Sequence, residues 1–212
     1  MRFTTSHPKD LSPRLIAAIA ALPRVCEHVH LPLQAGDDEV LRRMGRGYTL
    51  AHYEGLVGQL RAAVPGVALT TDVMVGFPGE TEEQFQRTLA AFGRLRYDQA
   101  FMFKYNDRPG TRAAELPGKV PEQEKQHRLE RLVALQDRIA LETNETQRGR
   151  AMDVLVEGAD PKTPGKMRGR TRHNKLVIFA ADESAAGRLV AVRATAARRW
   201  GWLGELASAP EG

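Results

Sequence analysis

The sequence has 212 residues, of which 42% are hydrophobic, so it can form one large domain or two unequal ones. No stretch approaches the ~20 apolar residues that a membrane-spanning helix needs, and the N-terminus lacks the apolar segment of a secretion signal. The single cysteine, Cys26, excludes an internal disulfide and cannot by itself hold a zinc ion or an iron–sulfur cluster, which indicates a reducing, cytoplasmic environment.

The formal net charge of +5 is spread unevenly along the chain. Residues 1–149 contain 20 lysine and arginine residues against 19 aspartate and glutamate residues, whereas residues 150–212 contain 11 against 7. A basic C-terminal segment beside a nearly neutral body indicates contact with a polyanion, although a basic surface kept for solubility gives the same balance.

Alternating helical and strand patterns occupy the first 149 residues. Ser12 followed by Pro13 predicts a helix start, because serine caps helices and proline fits the first turn, and Pro23 ends that helix. Further helices are predicted at 38–44, after the cap residue Thr49, after a capping box at 81–84, and from 121 to about 147. Apolar runs at 29–33, 67–75 and 100–103 predict strands. This order indicates repeated βα units and a parallel sheet.

After Gly149 apolar residues recur at every second position. Val154 and Val156 alternate with Leu155 and Glu157, and turn residues separate several further short apolar segments. Short strands at this spacing predict a small all-β barrel of the oligonucleotide-binding (OB) kind. We therefore expect two domains, an α/β domain over residues 1–149 and a β-domain over residues 150–212.

Polar or glycine-rich segments follow the predicted strands, at the ends where functional groups gather in parallel βα barrels. Gln34 offers a carbonyl and an amide suited to ribose hydroxyls, and Gly76 and Gly79 permit the close approach of a flat ring. Asp72 lies within a strand, where an unpaired carboxylate is costly, so it needs a partner or a function. Taken singly, each of these residues is more often structural than ligand-binding.

Other catalytic patterns in the sequence are absent or weak. No Lys-Ser or Lys-Thr pair follows Gly76 and Gly79 as a phosphate-binding loop requires, and there is no Gly-x-Ser-x-Gly elbow. His28 and His30 share one face of a predicted strand, but two ligands without a third favour a packed or hydrogen-bonded pair over a metal site. Cys26 is predicted to be a small buried hydrophobe.

The most specific physical signal is a run of positive residues at 166, 168, 170 and 172. If this segment is a strand, its period of two places all four on one face, where their mutual repulsion requires an anion such as RNA phosphate. The alternative is an edge strand that lysine and arginine protect against aggregation. Phe179, Trp200 and Trp202 are candidates for stacking on bases, although at least one tryptophan is expected in the core.

Four separated groups of motifs carry a family resemblance. They are HLPLQAG with LRRMGRGYT (30–36 and 41–49), TDVMVGFPGET (71–81), FMFKY with RPGT (101–105 and 108–111), and GRTRHNKLV (169–177). In this order they resemble the MiaB family of radical S-adenosylmethionine (SAM) tRNA methylthiotransferases, over nearly the whole chain. The resemblance implies the C-terminal half of a partial (β/α) radical-SAM barrel, followed by a small OB-like β-barrel, the TRAM domain.

The resemblance also implies an activity and its cofactors. The family adds a methylthio group to C2 of N6-isopentenyladenosine next to the anticodon, using SAM and two [4Fe–4S] clusters whose cysteine ligands precede every motif named above. No Cys-x-x-x-Cys-x-x-Cys occurs in this sequence. We therefore expect a fragment that needs the missing N-terminal portion of the same enzyme, binds tRNA weakly and catalyses nothing by itself. Neither a membrane nor DNA is an expected partner.

Site residues follow from the resemblance, position by position. The residues expected to line the SAM pocket or border the substrate are Gln34, Asp72, Val75, Gly76, Phe103, Lys104 and Tyr105, with Arg108 near the mouth. The residues expected to contact tRNA phosphates are Lys166, Arg168, Arg170, Arg172 and Lys175. No catalytic side chain and no metal ligand is identified in this stretch of sequence.

Two alternative functions stay open. A sister methylthiotransferase, acting on threonylcarbamoyl-adenosine in tRNA or on a ribosomal protein, shares parts of the same motifs, although residues 101–105 and 171–177 favour the isopentenyl-adenosine type. A non-catalytic RNA-binding module is the alternative from another class. In either case an incomplete barrel exposes sheet edge and apolar surface, so aggregation on expression is expected.

Overall fold

The computed structural model describes residues 1–3 and 7–207. The chain divides into two compact units, Met1–Ile139 and Ala140–Gly212. This division falls within a long helix, whereas the sequence suggested a boundary at Gly149. The last turns of that helix belong to the second unit, because Asn144 there makes hydrogen bonds to barrel residues.

In its described residues, the first unit is an α/β structure with three strands and five complete helices. Its strands are β1 (His28–His30), β2 (Ala68–Val75) and β3 (Gln99–Lys104). Its helices are α1 (Pro13–Ala21), α2 (Asp38–Arg43), α3 (Leu50–Ala63), α4 (Glu82–Leu95) and α5 (Arg112–Glu115), followed by the first part of α6 (Glu122–Glu145). A 3-10 turn at Pro8–Asp10 and the single turn α5 carry no apolar periodicity, which explains why the sequence pattern did not predict them.

The strands form a parallel sheet in the order β1-β2-β3, as the alternating pattern predicted. The predicted caps are present: Ser12 accepts a hydrogen bond at the start of α1, Thr49 at α3, and Thr81 forms a capping box with Gln84 at α4. These local signals set where helices begin, because they satisfy amide groups that the first turn leaves unbonded.

The second unit is a closed five-stranded barrel. Its strands are β4 (Ala151–Ala159), β5 (Met167–Thr171), β6 (Leu176–Phe179), β7 (Leu189–Arg198) and β8 (Gly201–Leu206), in the order β4-β5-β6-β8-β7, with a 3-10 turn at Glu183–Ala185. Val154, Val156, Phe179 and Trp202 are buried in its core. The prediction of a small OB-like barrel is confirmed. Phe179 and Trp202 are therefore core residues, whereas Trp200 is exposed.

Two further features bear on the expectations from the sequence. Within residues 1–3 and 7–207, no helix is both long enough and apolar enough to span a bilayer. Cys26 is half-buried, so the prediction of a buried thiol is wrong, because the residue lies in the irregular segment before β1 and not in an apolar element.

Candidate functional site

The parallel sheet has one face packed against helices and one face that carries exposed aromatic rings. Because side chains alternate along a strand, Val73 and Val75 of β2 point into the helix-packed core, where both are fully buried. The other face, called the open face below, carries His30, Thr70, Asp72, Met74, Phe101 and Phe103. Phe101 and Phe103 are 49% and 52% exposed there, which is unusual for phenylalanine in a sheet.

A chain of polar contacts runs across the open face to Asp72. His30 Nε2 lies 3.3 Å from Asp72 Oδ2, and His30 Nδ1 lies 2.9 Å from the Thr70 hydroxyl, which is 3.5 Å from His28 Nε2. A carboxylate only accepts, so His30 Nε2 donates to Asp72, and the Thr70 hydroxyl, which can donate or accept, pairs with Nδ1. The two histidines are thus hydrogen-bonded to their neighbours. Within the described part of the chain, no group of three His, Cys, Asp or Glu side chains could hold a metal ion.

Gln34 joins the sheet through its backbone. Its N–H donates to Asp72 O at 2.8 Å and its carbonyl accepts from Met74 N at 2.9 Å, which extends the pairing with β2 beyond the end of β1. Gln34 has φ 69°, a left-handed conformation that costs energy for any residue other than glycine. A strained residue held next to Asp72 and Met74 fits a functional position at the strand end.

Val75 and Gly76 have structural surroundings. Val75 faces the helices, and the Gly76 N–H donates to Glu80 Oε2 at 2.6 Å. Glycine is required at this position because φ is 73° and because a Cβ would overlap the side chain of Lys125. The predicted close approach of a ligand at Gly76 is therefore not needed to explain the glycine.

Lys104 also points away from the open face, whereas Tyr105 is buried in a small apolar cluster after the end of β3. Lys104 alternates with Phe103 and reaches α6, where its Nζ donates to Glu122 at 2.5 Å and to Gln126 at 2.9 Å. Tyr105 packs edge-on against Phe77, with ring centroids 5.3 Å apart.

Of the seven residues that the resemblance placed at the cofactor, the structure brings together only Asp72, Phe103 and the backbone of Gln34. It adds His30, Thr70 and Phe101, which the sequence reasoning did not assign to a site. Side chains alternate between the two faces of a strand. Applying this alternation to all three predicted strands together would have placed these residues on one face.

The contact between Lys104 and Glu122 gives a testable titration. Hydrogen bonds from Lys104 and then Lys125 lower the pKa of Glu122 from its ordinary 4.5 to about 2. Since the folded pKa is depressed, this carboxylate stabilises the fold above about pH 4.5, and the contribution is lost as pH falls through about 2. We expect Lys104→Met to move the Glu122 midpoint upward, toward 4.5, in a carboxyl-carbon NMR titration. Asp107, whose pKa is lowered mainly by Lys119, is the internal control and should not move.

The predicted cationic segment is only partly a strand. Arg168 and Arg170 lie in β5 and point outward, alternating with the buried residues Met167, Gly169 and Thr171. Lys166 precedes the strand, and Arg172 lies in the turn after Thr171. The strand ends there because Asn174 adopts a left-handed conformation in a hydrogen-bonded turn that closes between Thr171 and Lys175. The prediction of a single four-residue strand face is therefore wrong for Lys166 and Arg172.

The closed barrel removes one interpretation of these arginines. β5 is hydrogen-bonded to β4 on one side and to β6 on the other, so it is not an edge strand that needs protection. Arg170 Nε lies 3.2 Å from Glu157 Oε1, and Arg168 Nε lies 3.9 Å from Glu157 Oε2. One carboxylate facing two guanidinium groups leaves a net positive charge on this surface.

Lys175 has a different environment from the arginines. Its Nζ donates to Asn144 Oδ1 at 2.6 Å and lies 5.5 Å from the centroid of the Trp202 ring. The ammonium group thus has an internal acceptor and an aromatic neighbour, which gives it a structural role in the barrel.

Family models and known proteins match this chain along most of its length. The model described as the radical SAM superfamily matches residues 1–92, and that of the TRAM domain matches residues 145–207. Proteins named tRNA-2-methylthio-N(6)-dimethylallyladenosine synthase from Moorella thermoacetica and Syntrophomonas wolfei are each 50% identical over 206 residues, which is 97% of this chain and 46% of each relative. The protein of that name from Symbiobacterium thermophilum is 49% identical over 210 residues, or 99% of this chain and 45% of the relative. The chain thus spans about half the length of the curated relatives it matches.

A solved structure supports the fold of part of this chain. Coproporphyrinogen III oxidase (HemN) from Escherichia coli, described as a radical SAM enzyme, superposes with a TM-score of 0.55 over 65% of this chain and 32% of its own. Its sequence identity is 19%, so the likeness concerns the fold alone.

Proposed function

We propose that this chain, a member of the MiaB family of radical SAM methylthiotransferases, contributes part of the SAM site and the RNA-binding domain of an enzyme. That enzyme adds a methylthio group to N6-isopentenyladenosine in tRNA. Near-50% identity to three synthases of that name over almost the whole chain carries the proposal. The tRNA substrate named for these relatives supports the cytoplasm as the place of action.

The open face suits a ligand of SAM's chemistry. SAM carries ribose hydroxyls, an ammonium group and a positively charged sulfur, all of which an oriented carboxylate can bind and aromatic faces can attract. Asp72 supplies the carboxylate, held by His30, and the exposed rings of Phe101 and Phe103 lie on the same face. Once bound, SAM would supply the methyl group and the radical chemistry of the family. In this proposal Asp72 accepts hydrogen bonds from the ligand and the two rings exclude water from it.

The described residues do not fit an iron–sulfur cluster. The chain has one cysteine, Cys26, and no group of three possible ligands occurs within residues 1–3 and 7–207. Clusters of the [4Fe–4S] type need about three or four cysteine thiolates. We assign the two clusters of the family, and the rest of the SAM site, to the portion of the relatives that this chain does not match.

The barrel supplies the proposed contact with tRNA. Lys166, Arg168, Arg170 and Arg172 remain the proposed phosphate-binding residues, and Arg168 and Arg170 are supported by their outward direction and partial exposure. Lys175 is the weakest candidate of the set, since its ammonium group already contacts Asn144 and Trp202.

Deleting the gene that encodes this chain tests the proposal directly. We expect the methylthio-isopentenyl nucleoside to disappear from tRNA and the unmodified isopentenyl nucleoside to accumulate, measured by nucleoside mass spectrometry. Complementation with Asp72→Asn should give at least a ~10-fold lower level of the methylthio-isopentenyl nucleoside than complementation with the unaltered gene. The reason is that a charge-assisted hydrogen bond is lost. Asp182→Asn, an exposed carboxylate in the second unit, is the control and should complement fully.

Two results would contradict the proposal. Persistence of the methylthio-isopentenyl nucleoside in the deletion strain would remove it. Loss of the methylthiolated threonylcarbamoyl nucleoside instead would identify a sister methylthiotransferase.

A further inference from the structure

A β-bulge places Glu157 between two arginines of the neighbouring strand. In the pairing of β4 with β5, Val156 lies opposite Gly169 and Gly158 lies opposite Arg168, so Glu157 is the extra residue of β4 without a direct partner. Gly158, with φ 145°, permits the irregular backbone that follows. Bulges re-aim side chains and recur beside functional sites. Here the bulge directs a carboxylate to the outer surface of β5.

The Glu157 carboxylate bridges the two arginines. Its Oε1 is 3.2 Å from Arg170 Nε, and its Oε2 is 3.9 Å from Arg168 Nε. The side chains of Glu157 and Arg170 are each 37% exposed and that of Arg168 is 41% exposed, so the group is open to solvent. Arg170 also donates through Nη1 to the carbonyl of Asn174 at 2.8 Å, which fixes its direction.

Two oxygens shared between two guanidinium groups reproduce the way a phosphate is bound. Arginine forks fit carboxylate and phosphate oxygens alike, and two arginines on alternate positions of one strand repel each other without an anion between them. From this arrangement we infer that Glu157 is an internal substitute for an RNA phosphate, which occupies the arginine pair in the free protein and limits its affinity for RNA. The inference rests on the proposed RNA-binding function and names the residue that regulates it.

The consequence is a gain of affinity when the negative charge is removed. In Glu157→Gln the side chain keeps its size, but it no longer repels phosphate or neutralises an arginine. We expect the full chain with this substitution to bind a fluorescently labelled anticodon stem-loop RNA about 2- to 5-fold more tightly at low salt, the range typical of an exposed ion pair. The slope of log affinity against log salt should steepen by about 0.7–0.9, one additional phosphate contact.

Matched variants separate this local effect from a change of net charge. Asp153→Asn removes one negative charge from the outer face of the same strand. Asp153 pairs with Ala191 of β7, the neighbour of β4 on the side away from β5. This variant should change the affinity for RNA less than Glu157→Gln does. In a chain that already carries Arg168→Gln and Arg170→Gln, Glu157→Gln should have no effect, because its partners are gone. Circular dichroism and tryptophan fluorescence verify that each variant is folded.

The outcomes distinguish the inference from the proposed function. Salt-dependent binding by the unaltered chain, with unchanged or weaker binding by Glu157→Gln, overturns the inference and leaves the RNA-binding function standing. An equal gain from Asp153→Asn also overturns it. If neither the unaltered chain nor Glu157→Gln binds the RNA in a salt-dependent manner, both the proposed RNA-binding function and the inference are wrong.

Discussion

Arg128→Leu is expected to destabilise the first unit by about 3–5 kcal/mol, the usual cost of leaving one member of a buried ion pair alone. Arg128, on α6, and Glu80, after β2, are both buried, and Arg128 Nη1 lies 2.9 Å from Glu80 Oε2 and donates to Glu80 O at 3.0 Å. The same Glu80 oxygen accepts the Gly76 N–H. Losing Arg128 thus leaves a buried carboxylate that also holds the turn at the end of β2.

The destabilisation should depend on pH in a defined direction. Burial raises the pKa of Glu80 above its ordinary value even though the hydrogen bonds from Gly76 and Arg128 lower it. Without Arg128 the pKa should rise further, so the folded variant takes up a proton that neutralises the buried charge. Because the folded pKa of Glu80 is then higher in the variant than in the unaltered chain, the variant gains more stability as pH falls through its folded pKa. The difference in stability should therefore be smaller at about pH 5 than at about pH 7.5.

Chemical denaturation followed by far-UV circular dichroism measures this effect, since the helices α1 to α5 lie in the first unit. Arg131→Leu is the matched control on the same helix, because Arg131 is partly exposed and pairs with the exposed carboxylate of Glu82. It should cost no more than about 1 kcal/mol. Equal losses in the two variants would show that the buried pair has no special role.

Asn144→Ala is expected to destabilise the second unit by about 2–4 kcal/mol. Asn144 is fully buried near the end of α6; its amide donates to Arg198 O at 2.7 Å and accepts from Lys175 at 2.6 Å. The Asn144 backbone carbonyl accepts from the Trp202 indole at 2.9 Å. Alanine removes both side-chain hydrogen bonds and leaves the Arg198 carbonyl without this donor, at about 1–3 kcal/mol for each buried group.

Tryptophan fluorescence reports the second unit alone, because the two tryptophans, Trp200 and Trp202, both lie there. Asn144→Ala should shift the fluorescence transition to lower denaturant concentration, and the change in midpoint multiplied by the slope gives the free energy. Glu145→Ala, at the exposed neighbouring position, is the control and should stay within about 0.5 kcal/mol of the unaltered chain. A comparably small effect for Asn144→Ala would contradict a structural role for its hydrogen bonds.

The elements of the fold were predictable because their signals are local. Ser12, Thr49 and Thr81 each bond an amide within the next three residues, so helix starts can be recognised from short stretches of sequence. Apolar runs predicted the strands, and a change of period predicted the β-barrel. The family motifs extended these predictions to function, and identity near 50% to the named synthases supports them.

The site was predictable only in part. Asp72 and Phe103 lie on the open face, where their contact with SAM stays a prediction, but Val75 and Lys104 point to the opposite side of the sheet. Motif resemblance assigns neighbouring residues to one ligand, whereas consecutive residues of a strand point in opposite directions. Similarly, the cationic segment was interpreted as one long strand, and the turn at Asn174 shortened it.

By itself the sequence determined the order of helices and strands, the change from an α/β unit to a β-barrel, and the family. Tertiary structure alone decided which groups meet: His30 with Asp72, Arg128 with Glu80, and Glu157 with Arg170. The physical reason is that caps and periodicity act between residues a few positions apart. These contacts instead join residues separated by 13 to 48 positions, and strand register, a bulge and helix packing place them together.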